Sequence, residues 1–119
     1  MKQVEFITYE EKQILLIDLS HIQPQEGISI IKEAKEQIII QPYNSLLILT
    51  DVTQAHFDAA LVQSLKDFTT QNKPFVYASA VVGIEGIKKV ILDAVEKFSN
   101  RKFSTFDNRM NALNWLVNQ

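Results

Sequence analysis

Two short segments gather the side chains whose types and spacing could do chemistry. The first holds Asp18, Ser20 and His21, and the second holds Asp51, Thr53, His56 and Asp58. Carboxylate and imidazole brought together could hold a divalent cation, or could move protons with a histidine that titrates near neutral pH. Neither segment has a tight ligand spacing such as His-x-x-x-His, and Asp and Ser serve equally as helix caps and turn formers. The spacing therefore favours a structural role, with no metal and no cofactor expected. A third segment, Gly83-Ile84-Glu85-Gly86 ahead of Lys88, could offer backbone N–H groups and the positive end of a helix to an anion. Glu85 would already answer that dipole, and glycine is as useful for a tight turn, so Gly83, Gly86 and Lys88 form an unspecific anion-binding signal.

Composition removes several chemistries outright. The 119 residues include no cysteine, which excludes a disulfide scaffold, a thiol nucleophile and a thiolate metal centre and agrees with a reducing cytoplasm. No P-loop and no nucleophile elbow is present. An enzyme would have to work with carboxylates, hydroxyls and the two histidines, and it ranks behind a binding module and a carrier. Nucleic acid is not expected as a partner. Residues 1–60 carry four basic and nine acidic side chains and residues 61–119 carry eight and five, but the basic excess is interleaved with Glu85, Asp93 and Glu96 at helical i,i+4 spacing. The start Met-Lys-Gln-Val-Glu-Phe lacks the pattern of a signal peptide, and no stretch approaches the roughly 18 apolar residues of a membrane span, so a cytoplasmic protein without a membrane span is expected.

These segments need elements to position them. With 46% hydrophobic and 22% charged residues and few Gly or Pro, the chain reads as a single domain over 1–119. Val4 to Tyr9 and Gln13 to Leu19 read as an antiparallel hairpin around Glu10-Glu11-Lys12. Pro24 opens an amphipathic helix with Ile28, Ile31, Ala34 and Ile38 on one face, and Pro42 stops it. Leu46 to Leu49 is a continuous apolar strand, as expected where both sheet faces are covered. Asp58 caps a helix carrying Leu61, Leu65 and Phe68, and Phe75 to Val82 form a fourth strand. Past Gly83 a helical stripe of Ile84, Ile87, Ile91, Ala94 and Phe98 is predicted to face inward. Phe103 to Phe106 form a short edge strand, and Asp107 or Asn108 caps a last helix with Met110, Leu113, Leu116 and Val117. The order ββαβαβαβα predicts an α/β fold: a mixed five-stranded sheet packed by four helices, with right-handed crossovers.

This order, with Leu-Leu-Ile-Leu-Thr-Asp-Val-Thr at 46–53 and Val-Val-Gly-Ile-Glu-Gly-Ile-Lys-Lys-Val-Ile at 81–91, resembles the STAS-type, SpoIIAA-like superfamily, in the branch of STAS/CRAL-TRIO-like bacterial proteins. In the anti-sigma factor antagonists of that superfamily a strand runs into Asp-Leu-Ser and then a helix opened by Asp-Ser-Ser-Gly with a phosphorylatable serine. Asp51, Val52 and Thr53 resemble the first segment, and Phe57 and Asp58 the helix start. Ala59 and Ala60 stand at the serine positions and Leu61 at the glycine, so the phosphorylation switch does not carry over. The resemblance implies a regulatory, protein-binding module using the rim of Asp51, Thr53, His56 and Asp58. Its CRAL-TRIO side implies a carrier of a small apolar or lipid-like ligand, for which Ile38, Ile39, Ile40, Phe75 and Tyr77 offer apolar surface.

Asp51 at the end of a third strand, with Ser79 falling near the hydroxyl that such domains place after the next strand, also resembles a response-regulator receiver. Phosphoryl transfer there needs magnesium held by further acids, and the first strand ends in Phe6-Ile7-Thr8-Tyr9 without one. No Lys-Pro pair follows the fifth strand either, so that reading fails on its own requirements. Trp115 falls nearly opposite the stripe of Met110, Leu113 and Val117, where it could anchor a partner or cap the core edge. With the edge strand at Phe103 to Phe106, it outlines a surface that a second copy could cover in a homodimer.

Overall fold

The computed structural model describes residues 2–119. The elements run β1 (Val4–Tyr9), β2 (Lys12–Asp18), α1 (Pro24–Ile38), β3 (Leu46–Asp51), α2 (Ala59–Asn72), a 3-10 turn (Lys73–Phe75), β4 (Val76–Val82), α3 (Ile87–Ser99), β5 (Ser104–Phe106) and α4 (Arg109–Val117). The strands lie in sequence order across one sheet. β1 is antiparallel to β2, and every later neighbour is parallel. This is the mixed sheet and the ββαβαβαβα order predicted from the pattern of apolar residues.

The hairpin closes at Tyr9 and Lys12, with Glu10 at φ 47° and Glu11 at φ 68°. Two left-handed residues in succession give a two-residue turn whose twist matches the strands it joins. Along β2 the alternation of side chains sends Leu15 and Ile17 to one face and Ile14 and Leu16 to the other, and all four are buried. A strand covered on both sides needs such an uninterrupted apolar run. The first face carries the larger core, built with Ile30, Ile31, Ala34 and Ile38 of α1 and Leu61 and Phe68 of α2. Gly27 allows α1 to approach its neighbours, since a Cβ there would stand 3.0 Å from Leu61 and Ile22 side chains. α4 covers the second face, with Ala112, Leu116 and Val117 against Ile14, Leu49, Ala80 and Val82.

Two helices are rotated relative to expectation. α3 begins at Ile87, so Ile84 belongs to the preceding loop. The helix turns Val95 and Ser99 inward with Ile91 and Leu92 beside them, and Ile87, Val90 and Phe98 are exposed. Phe98 instead receives the Lys66 ammonium at 5.6 Å from its ring centre. In α4, Met110 lies outside the buried set and is exposed, where its sulfur accepts a hydrogen bond from the Tyr9 hydroxyl at 3.2 Å. A helix that is apolar on two sides has no unique inward stripe, and packing against α2 decides it for α3.

Candidate functional site

Asp18 ends β2 and Asp51 ends β3, and the two are register partners, so their carboxylates meet at one end of the sheet. Each begins the same local turn. Asp18 accepts from the Ser20 amide at 3.0 Å and the Ser20 hydroxyl at 2.6 Å. Asp51 accepts from the Thr53 amide at 2.9 Å and the Thr53 hydroxyl at 2.6 Å. The repeated Asp-x-Ser/Thr is an Asx turn that carries each strand off the sheet. Arg109, the first residue of α4, lies between the carboxylates: Nε donates to Asp51 Oδ2 at 2.7 Å, and Nη2 is 3.3 Å from Asp18 Oδ1.

The ionisation of this cluster follows from its geometry. Burial alone would push the Asp51 carboxyl up, but the Thr53 hydroxyl and amide and the Arg109 guanidinium together hold it below its ordinary value. Burial would lower Arg109, and Asp51 and Asp18 instead raise it. Asp51, 5% exposed, is thus an ionised carboxylate with both oxygens engaged, and it is poorly placed to act as nucleophile or base.

Backbone bonds staple the two loops beyond these turns. Leu19 N–H donates to Asp51 O at 2.8 Å, His21 N–H to Thr53 O at 2.9 Å and His56 N–H to Ile22 O at 2.9 Å. His21 at φ 59° and Gln54 at φ 54° are left-handed without being glycine. Such conformations persist where the surroundings over-determine them. Both imidazoles are exposed on this rim. Among the described residues no group of three or more His, Asp or Glu is placed to hold a metal ion.

The predicted site residues thus separate into three kinds. Asp51 and Thr53 share one buried network. His56 is exposed three residues further on, and Asp58 caps α2 by accepting from the Leu61 amide at 2.8 Å. Ala59 and Ala60 are exposed in the first turn of α2, where no hydroxyl stands. Gly83, at φ 91°, lies so close to the rim that a Cβ would sit 2.5 Å from the Thr53 nitrogen. Lys88 reaches back to donate to Val52 O at 2.8 Å, away from Gly86, which stands immediately before α3 at φ 57° beside open space. Arg109 was not anticipated. It stands 58 positions from Asp51, and only the repeated Asp-x-Ser/Thr on adjacent strands signals that two carboxylates would need a shared cation.

Of the residues expected to receive an apolar ligand, Ile38 is sealed in the core, Phe75 is half-buried with its ring centre 5.2 Å from that of Tyr43, and Ile39, Ile40 and Tyr77 are exposed. Ile39 and Ile40 follow the last turn of α1, where no helix covers them. A cavity of about 80 Å³ lies elsewhere, between the first sheet face, α2 and α3, lined by Ile17, Leu65, Phe68, Val81, Ile91 and Lys88 among others. Trp115, placed on the outer face by its periodicity, is half-buried against Phe106 with ring centres 5.5 Å apart. α4 is covered on two sides there.

A scan against protein-family models and a search of curated proteins find no match. Among solved structures the chain is similar to an uncharacterised protein of the DUF3478 family with a SpoIIAA-like fold, from Shewanella loihica PV-4. The TM-score is 0.73 over 95% of this chain and 91% of that one, at 11% sequence identity. The fold is SpoIIAA-like. At that identity the likeness concerns the path of the backbone, and functional residues must be argued from this chain's own side chains. No helix among the described residues is long and apolar enough to cross a membrane.

Proposed function

We propose that this protein is a non-catalytic, SpoIIAA-like binding module that presents the loops after β2 and β3 to a protein partner. The observation that carries this reading is the rim itself. His21 and Gln54 are left-handed in loops cross-stapled through His21 to Thr53 and His56 to Ile22, so exposed polar side chains are displayed on a braced edge, while the carboxylates beneath are spent on Arg109 and their own turns. A rigid display lowers the entropy lost on binding. It also differs from a catalytic site, where an ionisable group is left free to react. In this reading His56 and Gln54 are contact residues, Asp51 and Thr53 position the loop, Asp58 holds α2 in place, and regulation by serine phosphorylation is absent.

The test is a site-specific photo-crosslinker at Gln54 in the native host, with a second at Glu11 in the distant hairpin turn. A discrete product from Gln54 alone, lost in a His21→Ala/His56→Ala variant that remains folded, supports the reading. Equal products from both positions would remove the rim from consideration.

The cavity favours a second reading, a carrier of a small apolar ligand. Its volume of about 80 Å³ is near half the ~150 Å³ that lets an engineered cavity take up benzene, so a lipid-like ligand would require α3 to move outward. Native mass spectrometry after mild purification distinguishes the two: a clean apo mass with no extractable lipid counts against a carrier.

A further inference from the structure

β5 is only three residues long, and its pairing with β4 begins at Ala80 and Ser104. Below that register, among the described residues, the outer edge of β4 from Val76 to Ser79 has no strand beside it. The chain leading into β5 runs off to one side there, leaving a polar groove of about 440 Å³. Lys73, Arg101 and Lys102 line it, with Tyr77 and Trp115 as aromatic walls, and no Asp or Glu lines it. Arg101 and Lys102 also border a second depression with Asp93 and Glu96, so those acids stand on the other side of the two cations, and the strand edge itself faces three cations and no acidic side chain.

Arg101 shows the imbalance most clearly. Nη1 donates to Thr69 O at 2.9 Å and to the Asn72 side chain, Nη2 donates to Ser79 Oγ at 3.2 Å, and the guanidinium lies 4.7 Å from the Phe103 ring centre. All its partners are neutral. Burial without a counter-charge lowers its pKa to about 10. An exposed edge is ordinarily blunted by charge or covered, and an edge flanked by one sign of charge selects what can pair with it.

We propose that this groove docks an extended acidic peptide segment of a partner protein, paired by its backbone to the free edge of β4. An edge of four residues, about 13 Å at roughly 3.3 Å per residue, accommodates a short strand. Main-chain bonds supply the attachment, acidic side chains meet Arg101, Lys73 and Lys102, and an apolar side chain meets Tyr77 or Trp115. This surface is separate from the rim and independent of its role.

The chain's one tryptophan lies in the groove, so its emission reports occupancy directly. The probe is a short capped peptide of alternating Glu and Val titrated into the full chain. A saturable change in Trp115 emission is expected, with binding weakened about tenfold or more in Lys73→Glu/Lys102→Glu, whose circular dichroism should match the parent. A Lys/Val peptide, and the Glu/Val peptide N-methylated at alternate amides, should leave the emission unchanged. The proposal is overturned if the Glu/Val peptide gives no saturable change at millimolar concentration, or if the N-methylated peptide or pyrophosphate binds as tightly. The last result would make the groove a site for small anions.

Discussion

The rim and the groove each centre on an arginine that joins distant segments, and they differ in what completes the charge. Arg109 lies between two carboxylates, which raise its pKa and lower that of Asp51. Arg101 meets two neutral side-chain oxygens and a carbonyl, and its pKa falls to about 10. The first arrangement is complete within the chain and serves as a brace for the loops above it. The second has no carboxylate among its bonded partners, and in the proposed reading its charge is answered from outside the chain. A cluster of ionisable groups at the end of a parallel sheet is therefore not by itself the site at which chemistry or recognition occurs; the balance of its charges decides.

Removing one member of each set should separate the two roles. Asp51→Ala leaves Arg109 facing only Asp18 and frees the Thr53 hydroxyl. Breaking a buried pair typically costs about 3–5 kcal/mol, and the partial exposure of Arg109 reduces the expected loss to about 2 kcal/mol in urea unfolding. Arg101→Met removes a charge that has no counter-charge but also takes a donor from the buried Asn72 side chain and the Ser79 hydroxyl, so the two effects oppose and the net loss should be about 1 kcal/mol. Equal losses at the two positions would erase the distinction.

The glycines beside the rim sharpen the same comparison. Gly83→Ala forces a Cβ against the Thr53 backbone at a φ of 91°, in the turn that holds Asp51, and should cost about 2–3 kcal/mol. Gly86→Ala meets open space, but at φ 57° and ψ −129° its backbone lies outside the left-handed helical region, so it bears strain of about 1–3 kcal/mol without the clash that Gly83 adds to it. Thermal unfolding of both variants provides the order. A reversed order would show that Thr53 gives way easily.

Much of this could be read in the sequence, and the omissions have physical causes. The element order was legible because apolar runs of strand length alternate with amphipathic helices, and Asp58 was legible as a cap because N-cap chemistry is local. The facing of α3 was not, since Ile87, Val90 and Phe98 on one side compete with Ile91, Leu92 and Val95 on the other, and only contact with α2 decides between them. The rim residues Asp51 and Thr53 were found as a pair for a local reason, the Asx turn. Arg109 and the groove at Arg101 were invisible because both depend on which segments the sheet brings together over many tens of residues.

Acid titration offers a smaller effect at the rim alone. Asp51 has its native pKa below the unfolded value of about 3.9, so in that interval the unfolded chain holds a proton that the native chain does not, and stability rises with pH. The contribution is fully present above that value and is lost as pH falls through the native one. Asp51→Asn should flatten this acid limb of the urea midpoint, whereas Arg101→Met should leave its slope unchanged. A slope that persists in Asp51→Asn would assign it to other carboxylates.

The most direct measurement is a double-mutant cycle between Asp51→Asn and Arg109→Met, followed by urea unfolding at neutral pH and repeated at high salt. A brace completed within the chain predicts a coupling energy of about 1–2 kcal/mol that salt diminishes only partly. Losses that add to within about 0.5 kcal/mol would contradict it, and the rim would then have to be reconsidered as a set of exposed charges free for other work.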